Sequence, residues 1–243
     1  MNVLVGCCGQ GGLRVSDYRS KFRAMEVQYT FYRLPRSGTP SKWVEAFGDG
    51  FTFTMKAYQG LTHPFTSPTW RRYRHPEGDP ERYGGLKPTE ENYALWEKVL
   101  EISRKLGSPF IVVQLPPSFA RNTENVGNLV AFFGSVERPV KIGVELRNPS
   151  WFEYQDEVAN LFYKLDLVDV FDPFRREPLL NTDVAYLRLH GRGKGYTYDY
   201  SDSELELLRK KVVELDPETC YVFFNNTAMA KNAQRFQQLL LST

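Results

Sequence analysis

Short apolar runs recur along the chain, and between them apolar residues fall at helical spacing. The runs Asn2–Gly6 (NVLVG), Met25–Gln28 (MEVQ), Thr52–Lys56 (TFTMK) and Phe110–Gln114 (FIVVQ) predict strands. So do Lys141–Glu145 (KIGVE), Ala185–His190 (AYLRLH) and Cys220–Asn225 (CYVFFN), with a weaker run at Asp166–Val170 (DLVDV). Helical patterns lie between them. Pro40-Ser41 opens Lys42–Phe47. Thr89 caps Glu90–Leu106, whose stripe of Tyr93, Leu95, Trp96, Val99, Leu100 and Ile102 ends at Gly107. Further helices are predicted at Thr123–Phe133, Trp151–Tyr163, Glu204–Leu215 (capped by Asp202 or Ser203) and Met229–Leu241.

Strands that alternate with helices pair in parallel through right-handed crossovers. About eight such units in 243 residues fit an α/β fold, a closed (β/α)8 TIM barrel forming a single domain over residues 1–243. An open doubly wound sheet is the weaker alternative, because Gly9-Gln10-Gly11-Gly12 lacks the spacing of a dinucleotide turn. Residues 58–87 are expected to be a loop insertion after the third strand, too polar and Pro/Gly-rich for core, and a candidate lid.

Alternation assigns each strand residue a face. Met25 and Val27 oppose Glu26 and Gln28. Phe53 and Met55 oppose Thr52, Thr54 and Lys56, and Ile142 and Val144 oppose Gly143 and Glu145. Leu187 and Leu189 oppose Arg188 and His190, and Val222 and Phe224 oppose Tyr221, Phe223 and Asn225. The polar set gathers at the C-terminal strand ends, as Lys56, Gln114, Glu145, His190 and Asn225. Barrel enzymes build their sites at that end. Charges inside a barrel are costly unless paired, so Glu26, Glu145, Lys56 and Arg188 are expected to neutralise one another or a ligand. The seventh strand runs into Gly191-Arg192-Gly193-Lys194-Gly195, read as an anion-binding rim in which Arg192 and Lys194 supply charge.

Composition narrows the classes. A formal charge of +2 gives no global attraction to nucleic acid or membrane. Three cysteines form no disulfide framework and no zinc motif. No stretch reaches transmembrane length, and the N-terminus has no signal-peptide pattern, so a soluble cytoplasmic protein is expected. Cys7 and Cys8 are read as buried, with a nucleophile as the alternative.

Several stretches together resemble the YecE-like family, also called domain of unknown function 72. They are GCCG at Gly6–Gly9, EVQYTFYRLP at Glu26–Pro35, MKA at Met55–Ala57 with Thr62-His63, and QLPPSF at Gln114–Phe119. GVELRNPSW at Gly143–Trp151, YLRLHG at Tyr186–Gly191 and YVFFNN at Tyr221–Asn226 complete the set. The resemblance runs nearly end to end and implies a TIM barrel without supplying a reaction. The chain departs from the family pattern at Cys7-Cys8 (usually small hydroxyl residues), Gln28 (commonly Asn), Asn148 (commonly His) and Thr227 (often Asp). These departures bear against a mechanism needing a second histidine or carboxylate there.

The expected chemistry is acid–base or hydrolytic, on a small anionic substrate, a class that includes phosphorylated molecules. Lys56, Glu145 and His190 are the catalytic candidates. Glu26, Gln28, His63, Gln114, Arg147, Arg188, Arg192, Lys194, Asn225 and Asn226 are candidate substrate-binding residues. Lys56 is read as ion-paired to a neighbouring glutamate, ahead of a Schiff-base role. No cofactor is predicted; a divalent metal on Glu26, Glu145 and His190 is an alternative. A second alternative is nucleic-acid binding or processing through residues 69–85, where Trp70, Tyr73 and Tyr83 interleave with Arg71, Arg72, Arg74 and Arg82. The plainer reading of that segment is a lid or an ordered insertion, its arginines paired to Glu77, Asp79 and Glu81.

Overall fold

The structure, a computed structural model, describes residues 1–193 and 195–241. Eight parallel strands close into a barrel in sequence order. They are β1 (Asn2–Cys8), β2 (Ala24–Val27), β3 (Thr52–Lys56), β4 (Phe110–Gln114), β5 (Lys141–Glu145), β6 (Leu167–Phe171), β7 (Val184–Leu189) and β8 (Thr219–Phe224). The ring closes where β1 pairs with β8, from Asn2 against Thr219 to Cys7 against Phe224. Eight helices run between and after them: α1 (Val15–Lys21), α2 (Tyr29–Tyr32), α3 (Thr39–Phe47), α4 (Glu90–Leu106), α5 (Thr123–Ser135), α6 (Gln155–Lys164), α7 (Asp202–Leu215) and α8 (Met229–Leu241). The β6–β7 connection, residues 172–183, carries no helix. No helix among the described residues is long and apolar enough to cross a membrane.

The predicted faces separate into two buried clusters. Met25, Val27, Phe53, Met55, Ile142, Val144, Leu187, Leu189, Val222 and Phe224 pack outward with the helices. Phe110, Val112, Tyr186, Tyr221 and Phe223 fill the lower interior. There Phe110 stacks on Tyr186 with ring centroids 4.4 Å apart, and Tyr186 meets Phe223 at 5.4 Å. Glycines make room for these rings. A Cβ at Gly143 would lie 2.5 Å from Phe110 and Val170, and one at Gly6 would lie 2.1 Å from the Ala24 carbonyl oxygen.

Several elements differ from expectation. β1 continues to Cys8, so Cys7 faces the outer core and Cys8 the interior. β6 begins at Leu167, after Asp166 turns the chain with φ 47°. The helix expected at Trp151–Tyr163 starts only at Gln155. Pro149–Tyr154 is a 3-10 stretch instead, where the Asn148 side chain accepts from the Ser150 amide at 3.0 Å. Helices α1 and α2 were not expected. In α1 a single residue, Tyr18, is buried, which leaves no periodic apolar stripe to read.

The segment 58–87 is not the solvated insertion the composition implied. Tyr58, Leu61, Trp70, Tyr83 and Leu86 join the outer core. Phe65 stacks on His75 and Tyr83, and the edge of Trp70 meets it at 5.4 Å. The Gly84 amide donates to the Gly60 carbonyl at 2.8 Å and Leu86 to Leu61 at 2.9 Å, which pins the far end of the segment back to the barrel. Aromatic rings carry the burial that aliphatic periodicity carries elsewhere.

Candidate functional site

The C-terminal end of the barrel is built around Arg188 of β7, 1% exposed. Its guanidinium grips Glu26 of β2 through both carboxylate oxygens, with Nε to Oε2 at 3.0 Å and Nη2 to Oε1 at 2.9 Å. Its Nη1 donates to Glu145 of β5 and to Gln114 Oε1 of β4, the latter at 3.2 Å. The forked geometry of arginine suits a carboxylate on each side. Tyr186 donates to Glu26 Oε2 at 2.8 Å, and Gln28 donates to Oε1. Glu26 is therefore fully engaged inside the barrel.

Glu145 faces three basic groups. Arg147 reaches Oε1 at 2.9 Å, His190 Nε2 lies 3.1 Å from the same oxygen, and Arg188 holds Oε2. Burial pushes its carboxyl up, but Arg147, Arg188 and His190 outweigh burial and hold it well below the usual range. Glu145 is a fixed anion. His190 Nδ1 lies 3.2 Å from Asn225 Nδ2, an arrangement that suits a neutral ring donating to Glu145 and accepting from Asn225. Burial lowers the His190 pKa against the pull of Glu145.

Lys56 corrects an expectation. Among the described residues no carboxylate oxygen lies within 4.0 Å of it; its Nζ donates to Gln114 Oε1 at 2.9 Å and sits 3.7 Å over the Phe31 ring. The reason is that Arg188 takes both glutamates. Burial first, then the Arg188 charge, lowers the Lys56 pKa to about 7. His63 stands behind Phe31 with ring centroids 5.0 Å apart, its Nδ1 bonded to Thr62 Oγ1 at 2.7 Å. Burial and the Lys56 charge push its pKa down to about 3, so it is a neutral core histidine.

The metal alternative fails on its donor set. The space between Glu26 and Glu145 is filled by the Arg188 guanidinium. Among the described residues no group of three His, Cys, Asp or Glu is placed to hold a metal ion. Cys8 lies 3.7 Å from Arg188 Nη2, but burial raises its thiol well above the ordinary value, and Cys7 is pushed up to about 12. Neither is an activated nucleophile.

The loop after β7 also departs from the reading above. Arg192 turns away from the mouth, to Glu204 at 3.4 Å and over the Phe174 ring. Lys194 lies outside the described residues. The loop contributes Gly193, Gly195 and Tyr196 to the mouth instead. Asn226 does not present its amide as a ligand donor, since it donates to the Tyr198 carbonyl and to Asn232, each at 2.7 Å. In residues 69–85, Trp70 and Tyr83 are spent on packing and Tyr73 stacks on Tyr32. Arg82 pairs with Glu91, not with the acids of its own segment, and Arg71, Arg72 and Arg74 are exposed.

Two site residues escaped the sequence reading. Asp172 caps β6; it accepts from the His190 and Phe174 amides, both at 3.0 Å, and burial raises its carboxyl pKa. The apolar run predicts a strand that stops at Val170, two residues short of it. Tyr196 lines the mouth from a loop whose glycines and basic residues carry the stronger sequence signal.

Two cavities open there. A large one of about 990 Å³ lies over β5–β7 and is lined by Glu145, Arg147, Asp172, His190 and Tyr196 among others. A smaller one of about 310 Å³ lies over β2–β4 and β8, with Gln28, Lys56, Gln114, Arg147, Asn225 and Tyr196 in its wall.

Known proteins carry the same architecture. A curated relative, the UPF0759 protein YunF of Bacillus subtilis (strain 168), is 26% identical over 261 residues, spanning 93% of this chain and 85% of that protein. A DUF72 family protein from Thermotoga maritima MSB8 has a crystal structure similar at TM-score 0.73 and 25% identity, covering 99% of this chain and 100% of that one. One from Enterococcus faecalis V583, at TM-score 0.78 and 22% identity, covers 99% and 98% and shows the shared fold. The family described as "Protein of unknown function DUF72" matches residues 8–243. Barrel, motif stretches and this match agree: the chain belongs to the DUF72 family.

Proposed function

We propose that this barrel is an enzyme performing acid–base chemistry on a small anionic molecule at the C-terminal strand ends. One observation carries the reading. Of the mouth cations Lys56, Arg147 and Arg188, the two arginines hold Glu26 and Glu145, and among the described residues Lys56 is left without a carboxylate partner. An anionic ligand supplies one.

The roles follow from the geometry. Glu145, held ionised, does not donate a proton; it fixes Arg147 and the His190 ring. Lys56, neutral near pH 7 until substrate binds, is the group that takes up a proton and returns it to the substrate. Gln114 steers its Nζ. His190 and Asp172 face the larger cavity, where a leaving or entering group would stand.

The test is consumption of substrate from panels of carboxylated and phosphorylated metabolites, followed by mass spectrometry. Turnover is expected with some member of the panel, with kcat/KM changing through about pH 7 and kcat lost at least a hundredfold in Lys56→Met. Unchanged turnover in that variant, or no turnover across both panels, overturns the reading.

A further inference from the structure

The two cavities differ in charge. Lys56 and Arg147 are the charged residues in the wall of the small one, which holds no carboxylate among the described residues. The large one mixes Arg147, Arg175 and Arg176 with Glu145, Asp172 and Glu177. Arg147 and Tyr196 belong to both walls and so form the boundary. At about 310 Å³ the small cavity lies at the lower end of small-molecule site volumes and has ample room for a carboxylate or phosphate group.

We propose that the small cavity is a subsite for one carboxylate or phosphate group, and that the arrival of this group puts a proton on Lys56. The inference rests on the anionic-substrate reading and adds where the anion sits and what it does. The body of the substrate passes Arg147 and Tyr196 into the large cavity, towards His190. The substrate is thus a small molecule with an anion at one end and a polar body.

The proton linkage follows from the surroundings of Lys56. Arg188 from β7 and Arg147 beyond β5 oppose its ammonium form; Glu26 from β2 and Glu145 from β5 favour it but are held by those arginines. His63, beyond β3, is neutral. Tyr32 and Tyr196 bring only hydroxyls to the cavity. An anion between Lys56 and Arg147 supplies the missing opposite charge, and the amine takes its proton from solvent. Thr227 and Met229, flanking the start of α8, complete the wall on that side.

Sulfate is the tetrahedral probe and acetate the planar one, since neither titrates above pH 6. Calorimetry at pH 8 in buffers of different ionisation heat reads proton uptake directly. The expected result is uptake approaching one proton per anion at pH 8 and little at pH 6, with affinity falling about tenfold per pH unit above 7. Preference for sulfate over acetate marks a phosphate head group; the reverse marks a carboxylate. Lys56→Met abolishes the uptake, whereas Arg175→Met, on the far cavity, leaves it intact. In the unaltered protein, a lysine 13Cε resonance titrating near pH 7 should move up by about two units or more with the anion. Binding without proton uptake, or equal binding by Lys56→Met, overturns the subsite while leaving an anionic substrate with its charge placed elsewhere. No binding of either probe at low ionic strength overturns both.

Discussion

Arg188 is the residue on which the mouth depends. It bonds all three of Glu26, Gln114 and Glu145, and it does so almost without solvent. Arg188→Met leaves two carboxylates buried without their counter-charge. A loss of about 3–5 kcal/mol is expected in urea unfolding, partly restored by adding Glu26→Gln. Lys56 behaves in the opposite sense. Its folded pKa of about 7 lies below the ordinary 10.5, so the folded state carries an unfavourable buried ammonium below pH 7. That cost fades as pH rises from 7 to 10.5. Lys56→Met should therefore be more stable than the parent by on the order of a few kcal/mol at pH 6, with the gap closing by pH 10. These residues were legible because strand alternation placed Glu26, Lys56, Glu145 and Arg188 on one face. Their pairing was not. Nothing in the sequence says that Arg188 reaches both glutamates and leaves Lys56 to Gln114 and the Phe31 ring.

At the level of elements, β3, β4, β5, α4 and α8 stand where periodicity and capping put them. In α4 the Thr89 side chain accepts from the Asn92 amide, and Gly107 closes the helix in the left-handed region with φ 59°. Thr89→Ala should cost about 1 kcal/mol, read as a lower urea midpoint with an unchanged slope. Helix α2, four residues long, and the segment 58–87 escaped because short turns and ring stacking leave no period. Close approach is equally silent in sequence. Gly143 reads as an ordinary strand residue, yet a methyl group there would meet Phe110 and Val170. Gly143→Ala is expected to lower stability by about 1–3 kcal/mol. Gly6→Ala, whose Cβ would strike backbone, should be worse, and a thermal melt ranks the two.

For the whole molecule, acidity is the stress to apply. His63 is held neutral down to about pH 3, and His190 is shifted the same way. Each binds its proton more readily when unfolded, as does Glu145, so stability falls as pH drops through 6.5 and below. Asp172, shifted upward, opposes the trend. A slope of roughly 1.4 kcal/mol per pH unit for each such group is expected. His63→Gln should flatten the curve between pH 6 and 4 when urea midpoints are compared.

The stacked rings of Phe110, Tyr186, Tyr221 and Phe223 close the barrel from below. Both cavities are thus floored by the rings and open on the mouth side. In the reading proposed above, arrival and departure share that side, so a lingering product delays the substrate that follows it.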